Sequence, residues 1–297
     1  LTYIVPDTLL EKVKIGQLAT ISIGTKIQKW VIKEVAVWNF DTSELKYLLD
    51  IEENEILSEL QLSLISYISF AYFVLIHKAL QLFITKSLFT RFEKYKWKQE
   101  RDKEYKYTFN IQPLTEAQKT TYKKIRESKN QSIILWWITG SGKTEIYIHL
   151  IRDTLDKGKQ SLLLIPEILL WKQIELRLKE SFWEDIVFIN SDLTEKKRAD
   201  IWEDIHSGEA KIIVWTRSAL FFPYTNLWII IMDEEHDYSY ESDNSPRYRT
   251  NEIVEFYGNH LKIPIIFASA TPKITTLYQA KKWESTLIHL LEKYKWE

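Results

Sequence analysis

Lys143 and Thr144 end the run Thr139-Gly140-Ser141-Gly142-Lys143-Thr144. Before it lies an apolar stretch, Ile133-Ile134-Leu135, and after it a helical segment, Glu145 to Asp156. A strand, a Gly-rich turn, Lys-Thr and a helix in that order form a phosphate loop. Gly140 and Gly142 let backbone N–H groups come close to phosphate, and those groups with the helix N-terminus form an anion site. Lys143 would reach the β- and γ-phosphates of a nucleotide, and the Thr144 hydroxyl would ligate Mg²⁺. Trp137 breaks the pattern, which has Gly five residues before Gly142. A Trp there is expected to cost the backbone freedom that Gly supplies.

A second set of groups follows about ninety residues later. Leu227-Trp228-Ile229-Ile230-Ile231-Met232 reads as a buried strand and runs into Asp233-Glu234-Glu235-His236-Asp237. Asp233 would hold Mg²⁺ directly or through water, and Glu234 would position and deprotonate an attacking water. His236 is suited to sensing the γ-phosphate. Alone, the cluster is also what an exposed acidic loop looks like; after a phosphate loop it reads as the second half of a nucleotide triphosphatase site. Downstream, Ser269-Ala270-Thr271 follows another apolar run, and its small residues let that strand end sit beside the acidic loop.

These groups need a sheet to position them. From Pro113 onward, short apolar runs alternate with helical segments: Ser132–Trp136, Ser161–Ile165, Ile186–Ile189, Lys211–Val214, Leu227–Met232 and Ile265–Ala268. Nearly continuous Ile, Leu and Val is the pattern of strands buried on both faces of a parallel sheet, with crossover helices between them. The expected fold is a doubly wound α/β domain. Residues 1 to about 50 read as short strands, Thr20–Ile23 and Val31–Val35 among them, and residues 56 to 92 as helical. Arg91 to Lys106 is dense in charge and marks a domain boundary near residue 110.

Composition narrows the functions. The chain has 297 residues, which fits about two domains, and a net charge of −1. Any nucleic-acid surface must then be a local basic patch. With no cysteine, disulfides, thiolate zinc sites and thiol catalysis are excluded, and a cytoplasmic location is expected. The uncharged stretch Leu60–Ile76 reads as a buried helix pair rather than a membrane span.

The ordered set resembles superfamily 2 helicases, and in detail the primosomal protein N′ (PriA) family of replication-restart helicases. Leu114 to Gln118, Thr139 to Glu145, Leu164 to Ile168, Thr216 to Phe221, Asp233 to Asp237 with Tyr240, Pro246 to Tyr248 and Ser269 to Pro272 carry the likeness. The resemblance implies a RecA-like lobe over 111–297, preceded over 1–110 by a small β-rich and helical domain that binds DNA 3′ ends. It implies ATP and Mg²⁺ as cofactors, with Glu145 joining the ATP-binding residues and Gln118 reading adenine. Thr216, Arg217, Ser218, Arg247 and Tyr240 would lie on DNA, and Glu167 beside them. Forked or single-stranded DNA would be the substrate, and 3′-to-5′ unwinding the activity. Helicase-loading and other replication-restart proteins and single-stranded-DNA-binding protein would be partners, with no membrane.

The likeness departs from the family in three places. Residues 92 to 113 leave no room for a winged-helix domain. The zinc expected in the family has no cysteine ligands here. The second helicase lobe, with its arginine, is absent, so the lobe alone should hydrolyse ATP poorly. Two other functions fit the residues: a DNA-end-binding module without useful ATPase activity, and a phosphate-loop NTPase with no DNA role.

Gly is 7 residues where about twenty are usual, and Trp is 12. Trp30, Trp137, Trp183, Trp215 and Trp228 fall where the resemblance expects Gly, whereas Trp202 fits its helix. One cause would account for both counts: TGA codons read as Trp in an organism that decodes them as Gly. TGG at codons 137, 215 and 228 would end that idea.

Overall fold

Ser132 to Leu290 carries the apolar runs and the helices between them. The computed structural model of the chain describes residues 1–37, 42–84, 88, 110–166, 171–182, 186–188, 194–282 and 284–293. Two compact units divide between Leu80 and Gln81. The charged run at 91–106, Glu167, Ile168, Trp183 and Ile189 lie outside the described residues.

In the first unit, β1 (Gln17–Ile23) pairs antiparallel with β2 (Lys26–Val31) and β3 (Asp50–Glu55), in the order β2-β1-β3. Ala19, Ile21 and Leu48 form the core of this sheet, covered by Val5, Ile32 and Ile51. The second strand ends at Val31, so the strand expected over Val31–Val35 begins and ends earlier. Gly16 has φ +87°, and a Cβ there would lie 1.9 Å from the Leu57 carbonyl oxygen, so only glycine fits. Helix α1 (Glu59–Ala71) starts at a capping box between Ser58 and Gln61. It stops before Phe73, whose φ is +51°, so the apolar stretch is broken ahead of α2 (Ile76–Phe83). Among the described residues, no helix is long and apolar enough to cross a membrane.

The second unit is built on seven parallel strands. They are β4 (Ser132–Trp137), β5 (Gln160–Leu164), β6 (Ile186–Phe188), β7 (Ile212–Trp215), β8 (Leu227–Met232), β9 (Ile265–Ser269) and β10 (Thr286–Leu290), in the order β10-β4-β9-β8-β5-β7-β6. Helices α3 (Glu116–Glu127), α4 (Lys143–Leu155), α5 (Trp171–Phe182), α6 (Glu195–His206), α7 (Thr250–Leu261) and α8 (Ile274–Lys281) alternate with them. This is the expected doubly wound fold. β5, β7 and β9 are buried along their whole length, as parallel strands covered on both faces must be. Ile146, Tyr147, Leu150 and Ile151 of α4 join Leu163, Ile231 and Ile266 in one core. Each such aliphatic side chain contributes about 1.5–3 kcal/mol by leaving water.

Chain order reverses between β4 and β5, which lie on opposite sides of the β9-β8 pair. In open α/β sheets that reversal opens a crevice at the carboxyl ends of the strands, where ligands bind. The ends of β4, β9 and β8 are adjacent there, and they carry the phosphate loop, Ser269 and Asp233.

Candidate functional site

The phosphate loop turns at Gly140 and Gly142, with φ +79° and +72°, and Gly142 caps α4. Lys143 is the first residue of that helix. Its Nζ lies 2.5 Å from Asp233 Oδ1 and 2.6 Å from Glu234 Oε1. The lysine side chain is 13% exposed, Asp233 2% and Glu234 14%, so the ion pairs are partly or wholly out of water. Burial pushes the Glu234 carboxyl above the usual carboxylate range, and Lys143 opposes it. Glu234 also has φ +50°, a conformation that non-glycine residues rarely hold and that clusters at working sites.

The acidic loop is tied down group by group. The Asp233 N–H donates to Leu164 O at 2.9 Å, and the Glu235 N–H to Ala268 O at 3.0 Å. Glu235 is fully buried; its carboxylate accepts from the Lys273 N–H at 2.8 Å and from Asn251 Nδ2 at 3.1 Å. His236 Nδ1 lies 2.8 Å from Ser269 Oγ and 3.7 Å from Glu234 Oε2, so the small-residue turn after β9 does sit beside the acidic loop. Tyr147, one turn beyond Lys143 on α4, donates to Asp233 Oδ1 at 2.9 Å.

Lys143, Asp233, Glu234 and His236 therefore come together, with Gly140, Ser141 and Gly142 beside them. Thr144 is half-buried on the first turn of α4. Ser141 is 2% exposed, and among the described residues its Oγ has no hydrogen-bond partner. Glu145 takes a bidentate pair from Arg177 at 2.6 and 2.8 Å, which spends it on joining α4 to α5. Gln118 is buried. Its Oε1 accepts from the Thr115 N–H at 2.9 Å, and its Nε2 donates to Ser141 O and Gly142 O at 3.1 and 3.3 Å. Reading adenine would require that carboxamide to leave these bonds; as placed, it holds the phosphate loop.

Arg217 donates to the backbone carbonyls of Ser239 and Glu241, the latter at 2.6 Å, with Thr216 and Ser218 half-buried on either side. Arg247 is exposed. Tyr240 corrects an expectation. It is 1% exposed, and its hydroxyl donates to the Asp233 carbonyl at 2.7 Å, so its ring has no surface to offer a nucleic acid. Tyr238, two residues earlier, is 87% exposed and is the open aromatic of that loop. Nothing in the local residue pattern separates the two tyrosines.

Trp137 requires a second correction. It is the last residue of β4 and lies outside the left-handed region, as do Trp30, Trp215 and Trp228. The cost at Trp137 is bulk rather than backbone strain. Its indole is buried, with Lys143 Nζ 3.7 Å from the ring centroid, and its Nε1 finds no partner among the described residues.

Among the described residues, no three His, Cys, Asp or Glu side chains are grouped to hold a metal. Asp233 offers one carboxylate of the kind Mg²⁺ takes beside waters and substrate phosphates, and Thr144, on the first turn of α4 next to Lys143, is an oxygen donor of suitable chemistry.

Fold and site together define the class: an α/β domain with a phosphate loop facing paired acids across a strand crevice. The model of the DEAD/DEAH box helicase family matches residues 115–280, and the chain belongs to that family. The chain is 33% identical over 300 residues to replication restart protein PriA of Rickettsia felis, covering 99% of this chain and 44% of that one. To the protein of the same name from Rickettsia prowazekii it is 38% identical over 195 residues, covering 66% and 30%. To that of Bacillus subtilis it is 37% identical over 193 residues, covering 64% and 24%. The chain thus spans less than half the length of these relatives. Among solved structures it is similar to RecG bound to a three-way DNA junction, with a TM-score of 0.46 and 21% identity, covering 62% of this chain and 24% of that one.

Proposed function

We propose that residues 111–297 act as the ATP-binding lobe of a DNA helicase of replication restart, and that residues 1–110 bind DNA 3′ ends. The observation that carries this reading is Lys143 Nζ held between Asp233 and Glu234 at the ends of neighbouring parts of one sheet. In this reading Lys143 leaves the carboxylates for the β- and γ-phosphates of ATP. Asp233 and Thr144 hold Mg²⁺, which supplies charge neutralisation on the phosphates. Glu234 orients and deprotonates the attacking water, and its raised carboxyl suits it to receive that proton. His236 connects Glu234 to the Ser269 turn.

DNA would lie along Thr216, Ser218, Arg247 and the exposed Tyr238, with Arg217 stiffening the loop that carries Tyr238. Unwinding runs 3′ to 5′ at stalled forks, in the cytoplasm. Helicase-loading proteins and single-stranded-DNA-binding protein are the partners. The PriA likeness supports this part of the reading.

Single-turnover hydrolysis of ATP by this chain, with and without forked DNA, tests the reading. Slow hydrolysis, stimulated by the fork and abolished by Glu234→Gln, is expected; hydrolysis indifferent to DNA would contradict it. One observation favours the rival, a DNA-end-binding chain without useful ATPase activity: the Trp137 indole stacked on Lys143. In that case fork binding would persist while hydrolysis stayed at background in wild type and rose only in Trp137→Gly.

A further inference from the structure

Tyr147 has no role in the chemistry above, yet its hydroxyl is aimed at the centre of the site. The side chain is fully buried, on the same face of α4 as Lys143 four residues earlier. Both side chains donate to one atom, Asp233 Oδ1, at 2.9 and 2.5 Å. Among the described residues, no donor reaches Oδ2.

A carboxylate turns easily about its last torsion, which is broad and nearly two-fold. Lys143 alone would not hold Asp233 once nucleotide is bound, because in the proposed reading its Nζ moves to phosphate. Tyr147 stays, since its side chain is fully buried in the core of the sheet's helix layer.

We infer that Tyr147 is a positioning residue for the magnesium-binding carboxylate: its hydrogen bond to Oδ1 fixes the orientation of Asp233 and keeps Oδ2 available to the cation. The inference rests on the nucleotide-site reading. Groups that orient a metal ligand in this way change metal affinity by about tenfold or more when removed.

The test is equilibrium binding of a fluorescent ATP analogue to the whole chain, in EDTA and across a Mg²⁺ titration. Tyr147→Phe keeps the ring and removes only the hydroxyl. Its affinity in EDTA should match wild type, while its Mg²⁺ midpoint should rise about tenfold. In an Asp233→Asn background the same substitution should add nothing, because the two residues act as a unit.

An unchanged midpoint, or an effect that survives in Asp233→Asn, overturns the inference. Loss of folded structure in Tyr147→Phe by circular dichroism overturns it too, since the hydroxyl would then be a requirement of the core. A wild type that binds no analogue, or binds it without regard to Mg²⁺, brings down the nucleotide-site reading and this inference with it.

Discussion

The acidic loop after β8 and the phosphate loop after β4 meet at Lys143, but they are finished to different degrees. In the acidic loop, Asp233, Glu235 and His236 each have fixed partners, and Tyr240 secures the Asp233 carbonyl. In the phosphate loop, the buried Ser141 Oγ has no partner among the described residues, and a Cβ on Gly140 would meet none of them within 4 Å. One side arrives with its dipoles set, at no cost when the ligand comes. The other leaves the Ser141 hydroxyl unspent at a helix N-terminus, although the Ser141 N–H already donates to Ile138 O at 3.1 Å. Lys143 bridges the two by neutralising the acids until phosphate competes for it.

The sharpest way to break that contrast is Lys143→Met. It leaves two largely buried carboxylates facing each other, and chemical denaturation should report a loss of about 3 kcal/mol. Equal stability would mean that the acids never depended on the lysine. Glu235→Ala comes next. It strips the fully buried clamp from Lys273 and Asn251, and should cost about 2 kcal/mol in the same measurement with nucleotide affinity unchanged. A drop in affinity instead would give Glu235 a direct share in the site. Trp137→Gly frees Lys143 from its stacked indole. Separately from any packing cost, fluorescence titration should find nucleotide bound about fivefold tighter, which corresponds to a cation–π contact of about 1 kcal/mol. The smallest effect belongs to Ser269→Ala, which removes two part-buried hydrogen bonds of one hydroxyl, one shared with His236 and one accepted from the Thr271 N–H. Stability should fall by about 0.5–1 kcal/mol, and a larger loss would show the Ser269 turn to be integral to the acidic loop.

Much of this was legible in the residues, for a definite reason. Parallel strands buried on both faces must be apolar throughout, so β5, β7, β8 and β9 stand out as runs of Ile, Leu and Val. The acids after β8 and the lysine after β4 are both local patterns, and topology had only to bring two strand ends together. β3 was missed because Asp50-Ile51-Glu52-Glu53-Asn54-Glu55 is an acidic edge strand held through its backbone beside β1. Tyr147 was missed because its partner lies 86 residues away and its neighbours look like any helix core. Glu235 was missed as a clamp because Lys273 and Asn251 reach it from two later elements. The Trp137 expectation was wrong in kind: the residue before a phosphate loop here is strand, and what it constrains is space around Lys143.

The most direct test of the shared pocket is calorimetric titration of MgATP into the wild-type chain and into Lys143→Ala. Saturable one-to-one binding in wild type that disappears in Lys143→Ala is the predicted result. Equal binding by both proteins would contradict the pocket, because the lysine between Asp233 and Glu234 would then have nothing to do with phosphate.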